Sequence, residues 1–281
     1  MGCTKNISND DYYIILSFSI FSIIFSVGLI GAIVAKGLLK DFCMRIVFYM
    51  TVNDLIRGII FSFMLPGFVE NKELCMIIAF AIGSTYMSNI LLGISITIVM
   101  YQALIKNEYD YFKYHLFWVL LCFFIVPALY ALPLFTESLG NDGGFCFFKN
   151  DIVGNIWRFI LNYLPSLFCL IFGSFVFFKV RSKIKKYRKD ATTNLIFVRG
   201  YLFALIILAM VTPLMILKTY ELAENECNSP YMSSAIEVWM NFHSVFNAIA
   251  FVITEKSKKK FIKRSTDMDC LNYSSESLVD K

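Results

Sequence analysis

The chain has 281 residues, of which 58% are hydrophobic and only 17% charged, with a mean hydropathy of +0.64 and a formal charge of +5. Soluble domains carry about 25% charged residues, so this composition excludes an ordinary soluble enzyme, a disordered chain and a nucleic-acid-binding module. It is the composition of a polytopic membrane protein.

A bilayer core about 30 Å thick takes about 20 apolar residues per helix, and reading between the charges predicts seven spans. Tyr12–Ala35 is uncharged, and without a basic leader before it or a small-residue cleavage site after it, it reads as a retained helix. Ile46–Val69 contains Asp54 and Arg57, and Leu74–Ile105 is uncharged throughout. Tyr114–Thr136 and Ile152–Phe178 follow, the latter holding Arg158. Leu195–Leu217 is charged only at Arg199, and Cys227–Thr254 only at Glu237. The expected fold is an all-α seven-transmembrane helix bundle over residues 12–254, preceded by an outer N-terminus (1–11). A short amphipathic, membrane-lying basic helix (255–264) and a tail (265–281) complete it.

Orientation follows from the lysines and arginines. The segments Lys36–Arg45, Lys106–Lys113, Lys179–Arg199 and Lys256–Arg264 hold 19 of the 26, against four on the alternating segments: Lys5, Lys72, Lys149 and Lys218. This split predicts a multi-pass plasma-membrane protein with its N-terminus outside and its C-terminus in the cytoplasm. The sequon at Asn6 then lies outside, where it is open to glycosylation. Cys75, opening the third span, and Cys146, in the second outer loop, share the oxidising side and are expected to pair. Cys3 and Cys227 form a second candidate pair there.

Ionisable and amide groups inside spans are costly, so they point to function. From the helical rise, Asp54, Asn89 and Asn247 lie at one depth, roughly 22–25 Å below the outer boundary. With Asn53, Asn241 and His243 they form a candidate intramembrane polar network, a structural clasp or a conformational switch. Arg57, shallower than Asp54, is expected to pair with Glu237 on the seventh span, with Asp54, one turn away on its own helix, as the alternative partner. Asn155, Arg158 and Asn162 make a polar stripe on the fifth span. That stripe either lines a ligand pocket entered from outside or owes Arg158 to snorkelling toward the interface. Pro127, Pro133, Pro165 and Pro213 are candidate bending points. No pair of histidines has metal-ligand spacing, and no metal or cofactor is expected. Facing the cytoplasm, Lys183, Lys185, Lys186 and Arg188 lie in a segment with seven basic residues in eleven. Such runs bind the anionic inner leaflet at about 1 kcal/mol per residue, and these four also form a candidate partner surface.

Seven spans, an outer N-terminus and cysteines on the third helix and second outer loop resemble the G-protein-coupled receptors. The second span, YMTVNDLIRG, resembles the L-x-x-x-D second helix of that family, and FHSVFNAIAFVIT resembles its N-x-x-x-aromatic ending at Asn247 and Phe251. The wording FYM-x-x-NDLI and FNAI is similar to the cyclic-AMP-receptor-like group of amoebae and ciliates. The third helix departs, ending MYQALIKN without the acidic-Arg-Tyr triplet, and the first lacks the usual asparagine. No lysine stands between Lys218 and Lys256 to form a retinal Schiff base. The resemblance implies a non-enzymatic receptor passing an extracellular ligand signal, of unknown ligand, to a heterotrimeric G protein. A seven-helix transporter or channel is the alternative, since it too needs polar groups at the midplane.

Overall fold

The computed structural model describes residues 9–63, 69–102, 114–142, 145–149, 151–186 and 238–255, with isolated positions between 202 and 235. Helix α1 (Asn9–Ala35) ends where Gly37 takes a left-handed φ of 60°, a conformation open to glycine at no steric cost, and its N–H caps Val34 O. Helix α2 (Phe42–Ser62) starts at Asp41, whose carboxylate accepts the Cys43 N–H. Helix α3 (Lys72–Tyr101) starts at Asn71, whose side chain accepts the Leu74 N–H. Both side chains satisfy amides that the first helical turn leaves open.

Helix α4 runs over His115–Phe135, and α5 from Ile152 to Lys186. Each contains one π-helical turn, Leu121–Ile125 in α4 and Phe159–Tyr163 in α5, and each turn lies two residues before a proline, Pro127 and Pro165. A proline removes a backbone donor and crowds the carbonyl four residues back. The chain answers by widening the preceding turn. Val126 N–H reaches back five residues to Leu121 O, and Leu164 N–H to Phe159 O. In α4 this releases Cys122 O from the ladder, and Ser88 on α3 donates its hydroxyl there at 2.6 Å. The expected bending points at Pro127 and Pro165 therefore take the form of π-turns, one of them tied to a neighbouring helix.

Four described helices are long and apolar enough to cross a membrane: Tyr12–Ala35, Lys72–Val99, His115–Phe135 and Ile152–Val176. Two thirds of the apolar window of α3 is buried (67%) against 28% in α1 and in α4, which makes α3 the central helix. It packs against α2, α4 and α5, and α2 packs against α1. The outer faces of α1, α4 and α5 expose Phe21, Ile24, Phe124, Phe168 and Ile171. Apolar surface that extensive belongs against lipid rather than water.

One element has no counterpart in the sequence reading. Strands β1 (Leu139–Asp142) and β2 (Phe145–Phe148) form an antiparallel hairpin after α4, with Asn141 opposite Cys146. It lies on α3, and Cys75 is disulfide-bonded to Cys146. The expected second pair, the membrane-lying basic helix and the tail lie outside the described residues.

Candidate functional site

Asp54 is the hub of a buried polar cluster at mid-bundle, itself 0% exposed. Four side chains bond its two oxygens. Arg57 Nη2 donates at 2.6 Å, Asn89 Nδ2 at 2.8 Å and Asn247 Nδ2 at 3.1 Å, while His243 Nδ1 lies 2.8 Å from Oδ2. An ionised carboxylate only accepts, so the His243 proton belongs on Nδ1. Asn53 Nδ2 donates to Asn89 Oδ1 at 3.0 Å, which fixes the orientation of that amide. The cluster joins α2, α3 and the last helix (238–255) through a single carboxylate.

Helical geometry selects the members. Asp54 and Arg57 are three residues apart on α2, and His243 and Asn247 four apart on the last helix, so each pair shares a face. Asn241 is different. Two residues before His243, it points to nearly the opposite side, and its Nδ2 lies 3.4 Å from Ser19 Oγ on α1. Ser244 donates to Ser22 Oγ at 3.0 Å on the same seam. The network expected from depth is therefore two networks on two faces. Ser19, Ser22 and Ser26, all buried, went unread in the sequence although their i, i+3, i+7 spacing was available. Gly58 belongs to this contact too, since a Cβ there would meet Ile23 at 3.1 Å and Ser19 O at 3.4 Å.

Among the described residues Arg57 takes the alternative partner. Its partner is Asp54, one turn away, and the same Nη2 also donates to Met240 O at 3.1 Å. Burial explains the choice, because both side chains are almost fully enclosed and a carboxylate at 2.6 Å removes most of the cost of placing the guanidinium there. Glu237 lies outside the described residues.

Arg158 departs from the snorkelling reading. It is 5% exposed and donates through Nη2 to Phe148 O at 2.5 Å, so it reaches the hairpin rather than the interface. Asn162 is likewise taken up, accepting the Tyr130 hydroxyl at 2.6 Å, and Asn155 is half-buried beside them. Tyr130, fully buried, lies across Gly83 of α3, and its ring centroid is 6.0 Å from that of Phe148. The fifth-span stripe thus holds α4, α5 and the hairpin together. The hairpin's flank is closed by Lys72 on Glu137 at 2.6 Å and by Lys149 on Glu137 O. Lys72 donates a hydrogen bond to Glu137 and adds its charge, holding that exposed carboxyl below the usual glutamate range.

Lys183, Lys185 and Lys186 fall on the last turns of α5, while Arg188 and Asn6 lie outside the described residues. Among the described residues no group of three acidic, histidine or cysteine side chains could hold a metal ion.

No known family profile matches the sequence, and no curated protein matches it. In structure the chain is similar to the crystal structure of squid rhodopsin, with a TM-score of 0.69 at 12% identity, covering 94% of this chain and 87% of that one. An identity that low makes the likeness one of fold. The fold is an all-α seven-helix bundle of a multi-pass membrane protein.

Proposed function

We propose that the chain is a G-protein-coupled receptor, carrying an extracellular signal to a cytoplasmic heterotrimeric G protein without covalent chemistry. The observation that carries this reading is the nearly full-length likeness in fold to squid rhodopsin. In this reading the N-terminus and Asn6 are outside, the hairpin held by Cys75–Cys146 lies over the outer end of α3, and the protein resides in the plasma membrane. Lys183, Lys185, Lys186 and Arg188 meet the G protein and the anionic inner leaflet. The sequence wording around Asp54 supports the cyclic-AMP-receptor-like group. Signalling runs through the cluster at Asp54, because a carboxylate bonded from three helices changes partners when those helices shift.

The transporter or channel reading draws on the same midplane charges. Against it, the carboxylate is already occupied by four donors, and the adjoining cavity has a volume of about 20 Å³, room for about one water. Nucleotide exchange on a panel of G proteins, in membranes from expressing cells exposed to a ligand library, separates the readings. Exchange that rises with one ligand and is lost in Asp54→Ala supports the receptor. Solute uptake by proteoliposomes, with no exchange on any G protein, overturns it.

A further inference from the structure

The cavity beside the Asp54 cluster is lined by Arg57, Tyr86, Asn89, His243, Met210 and Met240. Its polar wall is unevenly satisfied. Asn89 has both polar atoms partnered, its Nδ2 donating to Asp54 and its Oδ1 accepting from Asn53. Arg57 spends Nη2 on Asp54 and Met240 O, yet its buried Nε–H has no acceptor. The Tyr86 hydroxyl, 7% exposed as a residue, faces Ser166 without reaching hydrogen-bond geometry and is also unpartnered. A buried donor left unmet costs about 1–3 kcal/mol, more when it is charged. Two such groups on one cavity define something the cavity is built to hold.

We propose that this cavity is a binding site for a small monoatomic anion of chloride or bromide size, held by Arg57 Nε–H and the Tyr86 O–H. Among the described residues the lining carries one guanidinium and no carboxylate, and a single such ion matches the volume available. The ionised groups facing the site from α2 are Asp54 and Arg57, whose charges cancel. A bound anion therefore adds one negative charge to a low-dielectric site, and the two buried donors that would otherwise stay unmet offset its cost. This inference does not depend on the receptor reading.

The test is the thermal unfolding midpoint of the full chain in detergent micelles, titrated with sodium bromide against sodium gluconate at constant ionic strength. A saturable rise in bromide is expected, and its midpoint gives an apparent Kd. Tyr86→Phe should weaken that Kd by about tenfold or more, the loss expected for a hydrogen bond to a charged group. Met210→Phe, which fills the cavity, should abolish the response. Absence of a saturable bromide effect, or an effect in both variants equal to that in the parent protein, overturns the site and leaves the cavity to water.

Discussion

Arg57 Nη2 lies 2.6 Å from Asp54 Oδ1, one helical turn apart on the same strand of backbone and almost wholly enclosed. Removing one member of a buried pair leaves an uncompensated charge, at a cost of about 3–5 kcal/mol. Asp54→Asn should therefore be strongly destabilising, since it strands the guanidinium. Arg57→Met should cost less, because Asn89, His243 and Asn247 still bond the carboxylate. The double variant should be less damaged than the two losses added together. Thermal midpoints of the four proteins in micelles measure this directly, and strict additivity would show that the contact carries no coupling.

The Cys75–Cys146 bond ties α3 to the hairpin across 71 residues of chain. Losing a native disulfide typically costs about 2–5 kcal/mol in small secreted domains. Cys75→Ala, Cys146→Ala and the double variant should lose surface expression to the same degree, because each removes one and the same bond. Peptide mapping without reduction should recover the two cysteines linked in the parent protein. A double variant clearly worse than either single would assign the cysteines separate roles.

How far the sequence carried differs between kinds of feature. Span positions were legible because lipid demands long apolar runs, and the structure starts α3 and α5 within a few residues of the expected places. Asp54, Asn89, His243 and Asn247 were legible because a polar group in an apolar span has few alternatives to a partner at its own depth. Asn241 and Arg158 were not. Depth leaves azimuth undetermined, so it could not show that Asn241 faces Ser19. The Arg158 partner is a backbone carbonyl on a hairpin, and the sequence advertises no carbonyl as special. The π-turns follow from Pro127 and Pro165, but where the released carbonyl would find its donor, at Ser88, depended on packing between α3 and α4.

Glu137 gives a pH dependence. Its carboxyl is held below the usual glutamate range by a hydrogen bond from Lys72 and then by that lysine's charge. A group whose folded value is depressed stabilises above its unfolded value and loses that contribution as pH falls through the folded one. Hydrogen-exchange protection of amides 139–142 and 145–148 should therefore fall on acidification through the lower carboxylate range. The effect should be small and reduced by salt, because the pair is exposed. Glu137→Gln should remove that pH dependence while protection at neutral pH drops slightly. An unchanged acid profile in Glu137→Gln would assign the transition to another carboxylate.

The position of Tyr130 over Gly83 gives the sharpest steric test. A Cβ built on Gly83 would stand 2.2 Å from Tyr130 Cε1 and 2.8 Å from Cδ1, well inside contact distance. The ring has no room to retreat, being fully buried, with its hydroxyl on Asn162 and Phe148 beside it. Overpacking of this kind costs typically about 1–3 kcal/mol, so Gly83→Ala should lower the thermal midpoint clearly. Tyr130→Leu alone should also destabilise, by opening a cavity and leaving Asn162 without its donor. Combining the two should recover stability relative to the sum, because the smaller side chain vacates the space the new methyl needs. Tyr130→Phe separates the polar from the steric part: it loses the hydrogen bond, keeps the ring, and should not rescue Gly83→Ala. Rescue by Phe equal to that by Leu would mean that the hydroxyl, rather than the ring edge, sets the fit between α3 and α4.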